Sequence, residues 1–454
     1  MSQHINLQLG WPSPSLFPSS QLLSAASEVL QSPKKTSASL IYGPDAGYQP
    51  LRQAIASWLT SIYTPKGCIA PDRICVSNGA SANLENILTK FTEPGYTKRI
   101  WMIEPSYFLA CPIFTDAGFE GRLRGVPEDE EGLDVEFLRE NLQRADAEEQ
   151  QEAPKFKTGP RYGHLYKHVI YAVPTFANPS GKTMSYRRRC ELVRLAREFD
   201  ALVITDDVYD VLRWSEDENT HHSNLEAVPP RIVDLDGTLD GGPQHEWGNA
   251  VSNGSFSKII APGVRTGWAE ATPVFTLALS QVGATRSGGC PSHLTASFVY
   301  EMIATGALEK HIANKLIPTY SSRYYAMFRA IKEHLLPLGF RVSTGNPYSA
   351  ATPNGETNGH AQKAVVAGGY FTYITAPADL SVSVAELAAL ALKKHDLKFA
   401  YGSMMTVEGD TSSVERASSG FGNGIRLCWA WHTEDEILEG IQRLASLTEE
   451  VKVT

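Results

Sequence analysis

The chain has 454 residues, of which 42% are hydrophobic and 20% charged, and its formal net charge is −9 at pH 7. This composition is typical of a globular protein with two or three domains. The acidic balance and the absence of a long basic run argue against nucleic-acid binding, and no apolar run reaches the roughly 18 residues that a membrane span needs. The six cysteines are scattered, which predicts neither a disulfide framework nor a metal site. No signal peptide is visible, so we expect a cytoplasmic protein.

The first elements in chain order are an extended arm and a helix. Residues 6–18 are rich in Pro and Ser, which favours the extended arm, and a helix is predicted over residues 20–30. From about residue 72, short apolar strands alternate with helices. The predicted strands cover residues 73–77, 99–104, 168–173 and 201–205, with helices after residue 78 and over residues 186–199. This alternation predicts a mostly parallel sheet covered on both faces, with ligand sites at the carboxyl ends of its strands.

Three stretches interrupt the alternation. Residues 141–166, 215–250 and 344–367 are polar and rich in turn-forming residues, and we predict insertions or mobile surface loops there. The run Arg187-Arg188-Arg189 predicts the solvated start of a helix. After a helical stretch over residues 291–336, the chain ends in a smaller part. Its predicted strands cover residues 369–374 and 425–429, and its closing helix begins at Glu434.

The most informative stretch is S-F-S-K-I-I-A-P-G-V-R-T-G, residues 255–267. A lysine can form a Schiff base with an aldehyde, and pyridoxal phosphate (PLP) is the aldehyde that proteins most often hold in this way. The phosphate of PLP requires hydroxyl groups and a forked cation, and Ser255, Ser257 and Arg265 could supply them. Taken alone, Lys258 is equally compatible with a solvated surface lysine.

An acidic pair follows the predicted strand over residues 201–205. PLP requires a carboxylate on its pyridine nitrogen, and a carboxylate at a strand's carboxyl end can point into a cleft. Asp206 and Asp207 both qualify by position. Strand alternation would send them to opposite faces of the sheet, so only one of them can serve. An ordinary acidic cap is the structural alternative for this motif.

These stretches resemble the fold-type I PLP-dependent aminotransferases of class I and II. The lysine loop, P-T-F-A-N-P-S-G (174–181), D-D-V-Y (206–209) and E-P-S-Y (104–107) occur in the family's order. The resemblance implies that Lys258 is the covalent anchor and that Asp206, favoured over Asp207 by its spacing to Tyr209, binds the pyridine nitrogen. It also implies that Asn178 and Tyr209 bind the phenolic oxygen and that Tyr107 stacks on the ring.

The resemblance also assigns the phosphate and the substrate. Gly79, Ala80 and Ser81 would bind the phosphate together with Ser255, Ser257 and Arg265. Tyr42 would reach the phosphate of a neighbouring subunit, which implies a homodimer with shared active sites. Arg426 would bind the substrate's α-carboxylate, with Asn178 and Gly10 as further substrate contacts. Each motif alone has an ordinary structural explanation, such as a helix cap, a core aromatic, a loop tyrosine or a surface arginine. Because the motifs occur together in the family's order, we do not expect all of these explanations to hold at once.

The stretches L-G-W-P-S-P-S-L-F-P (9–18), G-A-L-E-K-H-I (306–312) and G-G-Y-F (368–371) resemble the 2-aminoadipate and aromatic aminotransferase branch. The PLP domains of MocR-type regulators share these features, but so few residues precede Leu9 that no winged helix is expected. The implied fold is α/β, with a large domain built on a mostly parallel sheet of the seven-stranded type and a smaller α+β domain. Residues 45–300 would form the large PLP-binding domain, and residues 1–44 and 301–454 the N-terminal arm and the small domain.

The activity implied is a ping-pong transamination. An L-amino acid that is aromatic, 2-aminoadipate-like or aliphatic would give its amino group to a 2-oxo acid such as 2-oxoglutarate, with Lys258 moving the proton. The alternative on the same scaffold is a PLP-dependent lyase, either a C–S β-lyase or one like aminocyclopropane-carboxylate synthase. A catalytically silent PLP-binding protein would have lost the key Lys, Asp or Arg, and none of them is lost here.

Overall fold

An eight-stranded mixed sheet lies at the centre of the computed structural model, which describes residues 4–148, 155–220, 225–348 and 365–452. The strands are β1 (Ile5–Asn6), β2 (Ile74–Ser77), β3 (Arg99–Glu104), β4 (Leu123–Asp129), β5 (Gly132–Leu133), β6 (His168–Ala172), β7 (Ala201–Asp206), β8 (Arg213–Ser215), β9 (Ala250–Ser255), β10 (Gly267–Glu270), β11 (Arg341–Val342), β12 (Val366–Gly368), β13 (Phe371–Thr375), β14 (Leu397–Lys398), β15 (Ala400–Tyr401) and β16 (Gly424–Cys428).

The α-helices surround the sheets. They are α1 (Ser19–Leu30), α2 (Pro33–Leu40), α3 (Gln49–Tyr63), α4 (Ala80–Phe91), α5 (Cys111–Phe114), α6 (Val135–Ala147), α7 (Tyr186–Glu198), α8 (Ile232–Asp236), α9 (Pro273–Ser280), α10 (His293–Ala304), α11 (Ala307–His311), α12 (Ile317–Ala330), α13 (Val384–His395), α14 (Thr411–Ser419) and α15 (Glu434–Val451). No helix among these described residues is both long enough and apolar enough to cross a lipid bilayer.

The central sheet has the order β2-β10-β9-β7-β6-β3-β4-β5. The five strands from β9 to β4 run parallel to one another, whereas β10 is antiparallel to both β9 and β2. The mostly parallel α/β sheet predicted from the sequence is therefore confirmed. The eighth strand is the two-residue β5, which turns back from β4 and pairs with it in antiparallel fashion.

Alternation along the strands explains why both faces of the sheet are covered. In β6, Val169 and Tyr171 pack into one apolar cluster with α4, α5 and α9, whereas Ile170 packs into a second cluster with α6 and α7. A strand that is buried on both faces reads as a continuous apolar run, which is how these strands appear in the sequence. The polar groups that follow the strands are thereby held at one edge of the sheet.

A second, four-stranded antiparallel sheet has the order β11-β13-β16-β15. The long helix α15 begins with a capping box, in which Thr433 and Glu436 satisfy each other's backbone groups. Its buried apolar stripe includes Ile437, Ile441 and Leu444. The N-terminal arm joins this part of the molecule, because β1 pairs parallel with β14. The predicted strands and closing helix correspond to β13, β16 and α15.

The predicted loops were partly wrong. Residues 141–147 complete helix α6, and Tyr166 is fully buried. Within residues 215–250, the short helix α8 is buried and Arg231 is fully buried, so this stretch is integral to the core. Most of the third predicted loop, residues 349–364, lies outside the described residues, as do 149–154 and 221–224.

The arginine run at the start of α7 is also not the solvated surface that its composition predicted. Arg187 is exposed, but Arg188 is buried and Arg189 is fully buried. The guanidinium of Arg189 donates to the carbonyl oxygens of Met184, Pro174 and Pro230. A buried arginine is tolerated when its donors are satisfied in this way, and the partners lie up to 41 residues away along the chain.

Candidate active site

A cleft opens at the carboxyl ends of β6, β7 and β9, beneath the N-terminal arm. Its volume is about 1330 Å³, part of it open to solvent. Nearly all of the residues predicted from the sequence line this cleft. They are Gly10, Ala80, Ser81, Tyr107, Asn178, Asp206, Tyr209, Ser255, Ser257, Lys258, Arg265 and Arg426. Gly79 is the residue directly before Ala80 at the start of α4. Tyr42 is not part of the lining.

Lys258 lies on the short turn Phe256–Lys258 that directly follows β9. Its Nζ donates to the carbonyl oxygen of Gly10 at 2.7 Å and lies 5.2 Å from the ring centre of Tyr370. Burial lowers the pKa of Lys258 to about 8, although Asp206 acts in the opposite direction. The amine is therefore much more readily deprotonated than a surface lysine, which is what a nucleophile and proton carrier requires.

Asp206 ends β7 and presents one unsatisfied oxygen. Its Oδ2 accepts a hydrogen bond from the Tyr171 hydroxyl at 3.1 Å, while Oδ1 is buried and has no hydrogen-bond partner among the described residues. Burial, with a smaller contribution from Asp207, raises the pKa of Asp206 to about 7. A buried carboxylate oxygen without a partner is costly, so this position fits a ligand that carries an N–H donor or a positive charge.

Asp207 is turned into the protein, away from Asp206, and strand alternation predicted that the two would lie on opposite faces. Its Oδ2 accepts hydrogen bonds from the hydroxyls of Thr205 at 2.8 Å and Ser252 at 2.6 Å, while its Oδ1, like that of Asp206, has no partner among the described residues. Burial raises the pKa of Asp207, and the nearby guanidinium of Arg231 opposes that shift. Of the two adjacent acids, only Asp206 lines the cleft.

The turn before α4 and the lysine loop form an anion-binding corner. Gly79 has a φ of +92°, and a Cβ built there would lie 2.5 Å from Nη2 of Arg265, so both backbone conformation and space favour glycine. Arg265 Nη2 donates to the carbonyl oxygen of Asn78 at 2.9 Å. The hydroxyl of Ser255 donates to that of Ser257 at 2.9 Å. Hydroxyls, a guanidinium and the free amides of a helix N-terminus match the requirements of a phosphate.

Arg426 projects from β16 into the cleft beside Asn178. Its Nη1 donates to Oδ1 of Asn178 and its Nη2 to the carbonyl oxygen of Gln8, both at 2.7 Å. The guanidinium lies 4.3 Å from the ring centre of Phe371, while its buried Nε has no hydrogen-bond partner among the described residues. Within the described parts of the chain, no carboxylate forms an ion pair with Lys258, Arg265 or Arg426. The cleft therefore carries uncompensated cations that suit a phosphate and a carboxylate.

Three residues of the site were not assigned from the sequence. Tyr171 binds Asp206, and Tyr370 donates from its hydroxyl to the backbone carbonyl of Lys258 at 3.1 Å. Asn253 in β9 donates to the carbonyl oxygen of Ala80 at 3.0 Å and so ties the phosphate corner to the sheet. A polar residue inside an otherwise buried strand was the available signal for Asn253, and the G-G-Y-F motif was the signal for Tyr370.

Comparison with known proteins agrees with this geometry. The family model described as "Aminotransferase class I and II" matches residues 9–389. The chain belongs to the class I and II aminotransferases. It is 32% identical to an uncharacterized protein of Saccharomyces cerevisiae, over 100% of this chain and 98% of that protein. It is 30% identical to an aromatic-amino-acid aminotransferase of Thermococcus litoralis, over 99% of this chain and 89% of that enzyme.

Among solved structures, the aminotransferase is similar to the kynurenine aminotransferase of Pyrococcus horikoshii, solved with PMP. The TM-score is 0.74 at 26% identity, covering 99% of this chain and 92% of that one. The fold-type I architecture, the aminotransferase activity on amino acids and the PLP cofactor predicted from the sequence are thus confirmed. Neither the family nor these relatives favour the lyase alternative.

The residues of the cleft fit PLP. The partnerless Oδ1 of Asp206 suits a protonated pyridine nitrogen, and the corner formed by Gly79, Ser255, Ser257 and Arg265 suits a phosphate. Lys258, whose pKa burial lowers to about 8, suits an aldehyde. Each chemical group of the cofactor thus has a counterpart of matching chemistry in the cleft.

Proposed function

We propose that this aminotransferase takes its amino group from an aromatic L-amino acid and passes it to 2-oxoglutarate in a ping-pong cycle. The observation that carries the choice of donor is the apolar part of the cleft lining. Trp11, Leu109 and Ile113 line the same cleft as Arg426, and Trp11 and Leu109 are 59% and 56% exposed. Large apolar groups left open in a cleft with a carboxylate-binding arginine suit a donor with a planar apolar side chain.

We assign the cofactor contacts as follows. Lys258 is the covalent anchor, Asp206 pairs with the pyridine nitrogen, Asn178 and Tyr209 bind the phenolic oxygen, and Tyr107 lies against the ring. Gly79, Ala80, Ser81, Ser255, Ser257 and Arg265 hold the phosphate. Bound PLP supplies an electron sink for the electron pair that remains when the substrate loses its α-proton.

Lys258 and Arg426 act on the substrate. The forked guanidinium of Arg426 binds the α-carboxylate in bidentate fashion, and its contacts with Asn178 and Gln8 fix its orientation. Gly10 lets the N-terminal arm close over the cleft, because a Cβ there would lie 2.7 Å from the ring of Phe371. Nζ of Lys258 would take the proton from the substrate's α-carbon as a general base and then donate it, as a general acid, to the carbon at the other end of the imine bond. A pKa near working pH is favourable for both roles.

The proposal includes a homodimer with shared active sites. Tyr42 is 84% exposed and follows two further exposed apolar residues, Leu40 and Ile41. Such a run on the surface suits burial against a second copy, where Tyr42 would reach the partner's phosphate site. Light scattering should give a dimer mass, and Tyr42→Phe should weaken PLP retention during dialysis without changing that mass. A monomer with full activity would contradict this part of the proposal.

We also infer that the protein works in a reducing compartment such as the cytoplasm. All six cysteines are free, and four of them are buried apart from one another. Unpaired thiols are typical of such compartments. Cell fractionation with an antibody would test this inference, and recovery in a secreted or membrane fraction would contradict it.

The donor is tested by the visible spectrum of the PLP-loaded protein. Each of a panel of amino acids is added without an acceptor: Phe, Tyr, Trp, kynurenine, 2-aminoadipate and Leu. The aromatic members should convert the bound cofactor to its amino form at a far higher kcat/KM than the others. Conversion by 2-aminoadipate or Leu alone would overturn the donor assignment, and release of ammonia and pyruvate would overturn transamination itself.

A further inference from the structure

A group of potential metal ligands lies at the edge of the central sheet opposite the active site. It consists of His164, Asp200 and His245, whose candidate ligand atoms all lie within 4.8 Å of one another. Asp200 immediately precedes β7, and the two histidines come a few residues before β6 and β9, the strands that flank β7. Because β7 spans six residues at about 3.3 Å each, the group lies roughly 20 Å from Asp206 at the other end of the strand.

The arrangement of the three side chains is close to that of a metal site. Nε2 of His164 and Oδ1 of Asp200 are 3.1 Å apart, near the roughly 3.4 Å between two ligands of a tetrahedral ion bound at about 2.1 Å. The ring centres of His164 and His245 are 4.6 Å apart. The candidate ligand atoms of the three residues lie within 4.8 Å of one another, so the ring of His245 has to move closer to reach the roughly 3.4 Å spacing of a tetrahedral site.

A simple ion pair between His164 and Asp200 does not account for His245. Its Nδ1 is buried and has no hydrogen-bond partner among the described residues. Nδ1 of His245 therefore has no partner within the described part of the protein, and an imidazole nitrogen is one of the commonest ligands of a metal ion. Two imidazoles and a carboxylate are a donor set that zinc prefers, with water as the fourth ligand.

The two segments that carry the histidines are held in place by packing. A Cβ on Gly163 would lie 2.7 Å from the ring of Trp247, so the segments are in direct contact beside the histidines. The fully buried Tyr166 donates its hydroxyl to the carbonyl oxygen of Gly248. Supported ligands of this kind lose little freedom when an ion binds.

We propose that His164, Asp200 and His245 bind a divalent transition-metal ion of the zinc type, which joins the segments before β6 and β9 at the far edge of the sheet. The ion stabilises these segments and takes no part in transamination. Both segments belong to stretches for which the proposed function provides no role.

The test is equilibrium dialysis of the PLP-loaded enzyme against Zn²⁺ in the presence of a weak competing chelator, followed by metal analysis. Wild type should retain one more zinc per chain than His245→Ala and Asp200→Asn. The affinity of these two variants for Zn²⁺ should be at least about 100-fold lower than that of the wild type. Removing a residue that only supports a metal ligand already lowers metal affinity by about 10- to 100-fold. The Asn variant suits the left-handed backbone of Asp200, at φ +48°, and so preserves the turn.

His4→Ala is the matched control, because His4 also contacts an aspartate, Asp396, at 2.6 Å. This control should bind zinc like the wild type. Zinc should also raise the melting temperature of the wild type and of the control, but not that of the two ligand variants. Equal zinc retention in all four proteins would overturn the proposal, as would a wild-type melting temperature that zinc leaves unchanged.

Discussion

Two groups of buried charged residues differ in how their charges are paired. One surrounds Arg231 behind the cleft, and the other lines the cleft itself. Around Arg231 every guanidinium edge meets an acid: Nη1 donates to Glu270 at 2.6 Å, and Nε and Nη2 donate to Asp234 at 3.0 and 2.8 Å. In the cleft, the described partners of Lys258 and Arg426 are neutral, and the described partner of Asp206 is the hydroxyl of Tyr171. The first group stabilises the fold, whereas the second keeps its charges available for a ligand.

The difference teaches how to distinguish structural from functional charges in this fold. Both groups are buried, and burial shifts pKa values in both. Unpaired buried charges lower the stability of the cofactor-free protein. A protein keeps such charges where they contribute to the binding of a ligand. The following predictions test this distinction, from the largest expected effect to the smallest.

Replacing Lys258 with Ala should reduce kcat by about 10⁴-fold or more, because the anchor and the proton carrier are lost together. The melting temperature should change little, since the one hydrogen bond of Nζ among the described residues goes to the backbone of Gly10. Steady-state assays with an aromatic donor and calorimetry check both points. Lys394→Ala, which removes an exposed lysine paired with Glu450, is the control and should keep full activity.

Asp206→Asn should lower kcat by about 10²- to 10³-fold, a typical loss for removing one charge that stabilises a transition state. The same change should stabilise the cofactor-free protein at pH 8. Because the pKa of Asp206 is raised from 3.8 to about 7 in the fold, the cofactor-free protein loses stability as the pH rises from about 4 through 7. The free energy of unfolding of the cofactor-free variant, measured by denaturant titration at several pH values, should not show that decrease.

Asp207→Asn is the comparison for that variant. It should destabilise the cofactor-free protein at pH 8, because the one carboxylate oxygen that accepts from both Thr205 and Ser252 is replaced by a weaker amide acceptor or by an amide donor. Equal stability changes in the two variants would contradict the division into functional and structural acids.

Arg426→Ala should raise the KM for the donor about 100-fold, since a bidentate contact to the substrate carboxylate is lost. Arg231→Ala should instead reduce the free energy of unfolding by about 3–5 kcal/mol, because it leaves Asp234 buried without its cation and Glu270 with Arg73 alone. Kinetics and urea unfolding of both variants separate the two outcomes. A large stability loss in Arg426→Ala with unchanged KM would contradict the substrate role.

The rate at which cofactor-free protein takes up PLP should rise with pH, with a midpoint near 8. Burial lowers the pKa of Lys258 to about 8, and only the neutral amine reacts with an aldehyde, so uptake increases as the pH passes through that value. Stopped-flow absorbance measures it. A midpoint above 10 would show that the amine behaves like a surface lysine.

Tyr171→Phe should have the smallest effect, about a tenfold loss in kcat. It removes the single side-chain hydrogen bond to Asp206 at 3.1 Å and leaves the carboxylate in place. The variant should also raise the pKa of Asp206 further, since that hydrogen bond favours the charged form. The pH at which the cofactor-free protein loses stability should shift upward accordingly.

The sequence by itself determined the main sheet and which residues line the cleft. The strands β3, β6 and β7 each contain a run of apolar residues, and polar motifs follow them, so parallel topology brings Asn178, Asp206 and Lys258 to one edge. Alternation along a strand is a local property, so the separation of Asp206 from Asp207 could also be predicted, and the spacing to Tyr209 favoured Asp206 as the one that lines the cleft.

Only the tertiary structure decided which polar residues are buried. Arg189 and Arg231 lie in stretches whose composition predicts solvent exposure, yet both are fully buried. Each has a local partner and a remote one. Arg231 pairs with Asp234 three residues away and with Glu270 39 residues away in β10, and Arg189 donates to Met184 and to Pro230, 41 residues away. Burial of these charged side chains depends on the remote partners as well, and local composition contains no information about those. The same reason explains why the roles of Tyr171, Asn253 and Tyr370 emerged only once the strands were assembled.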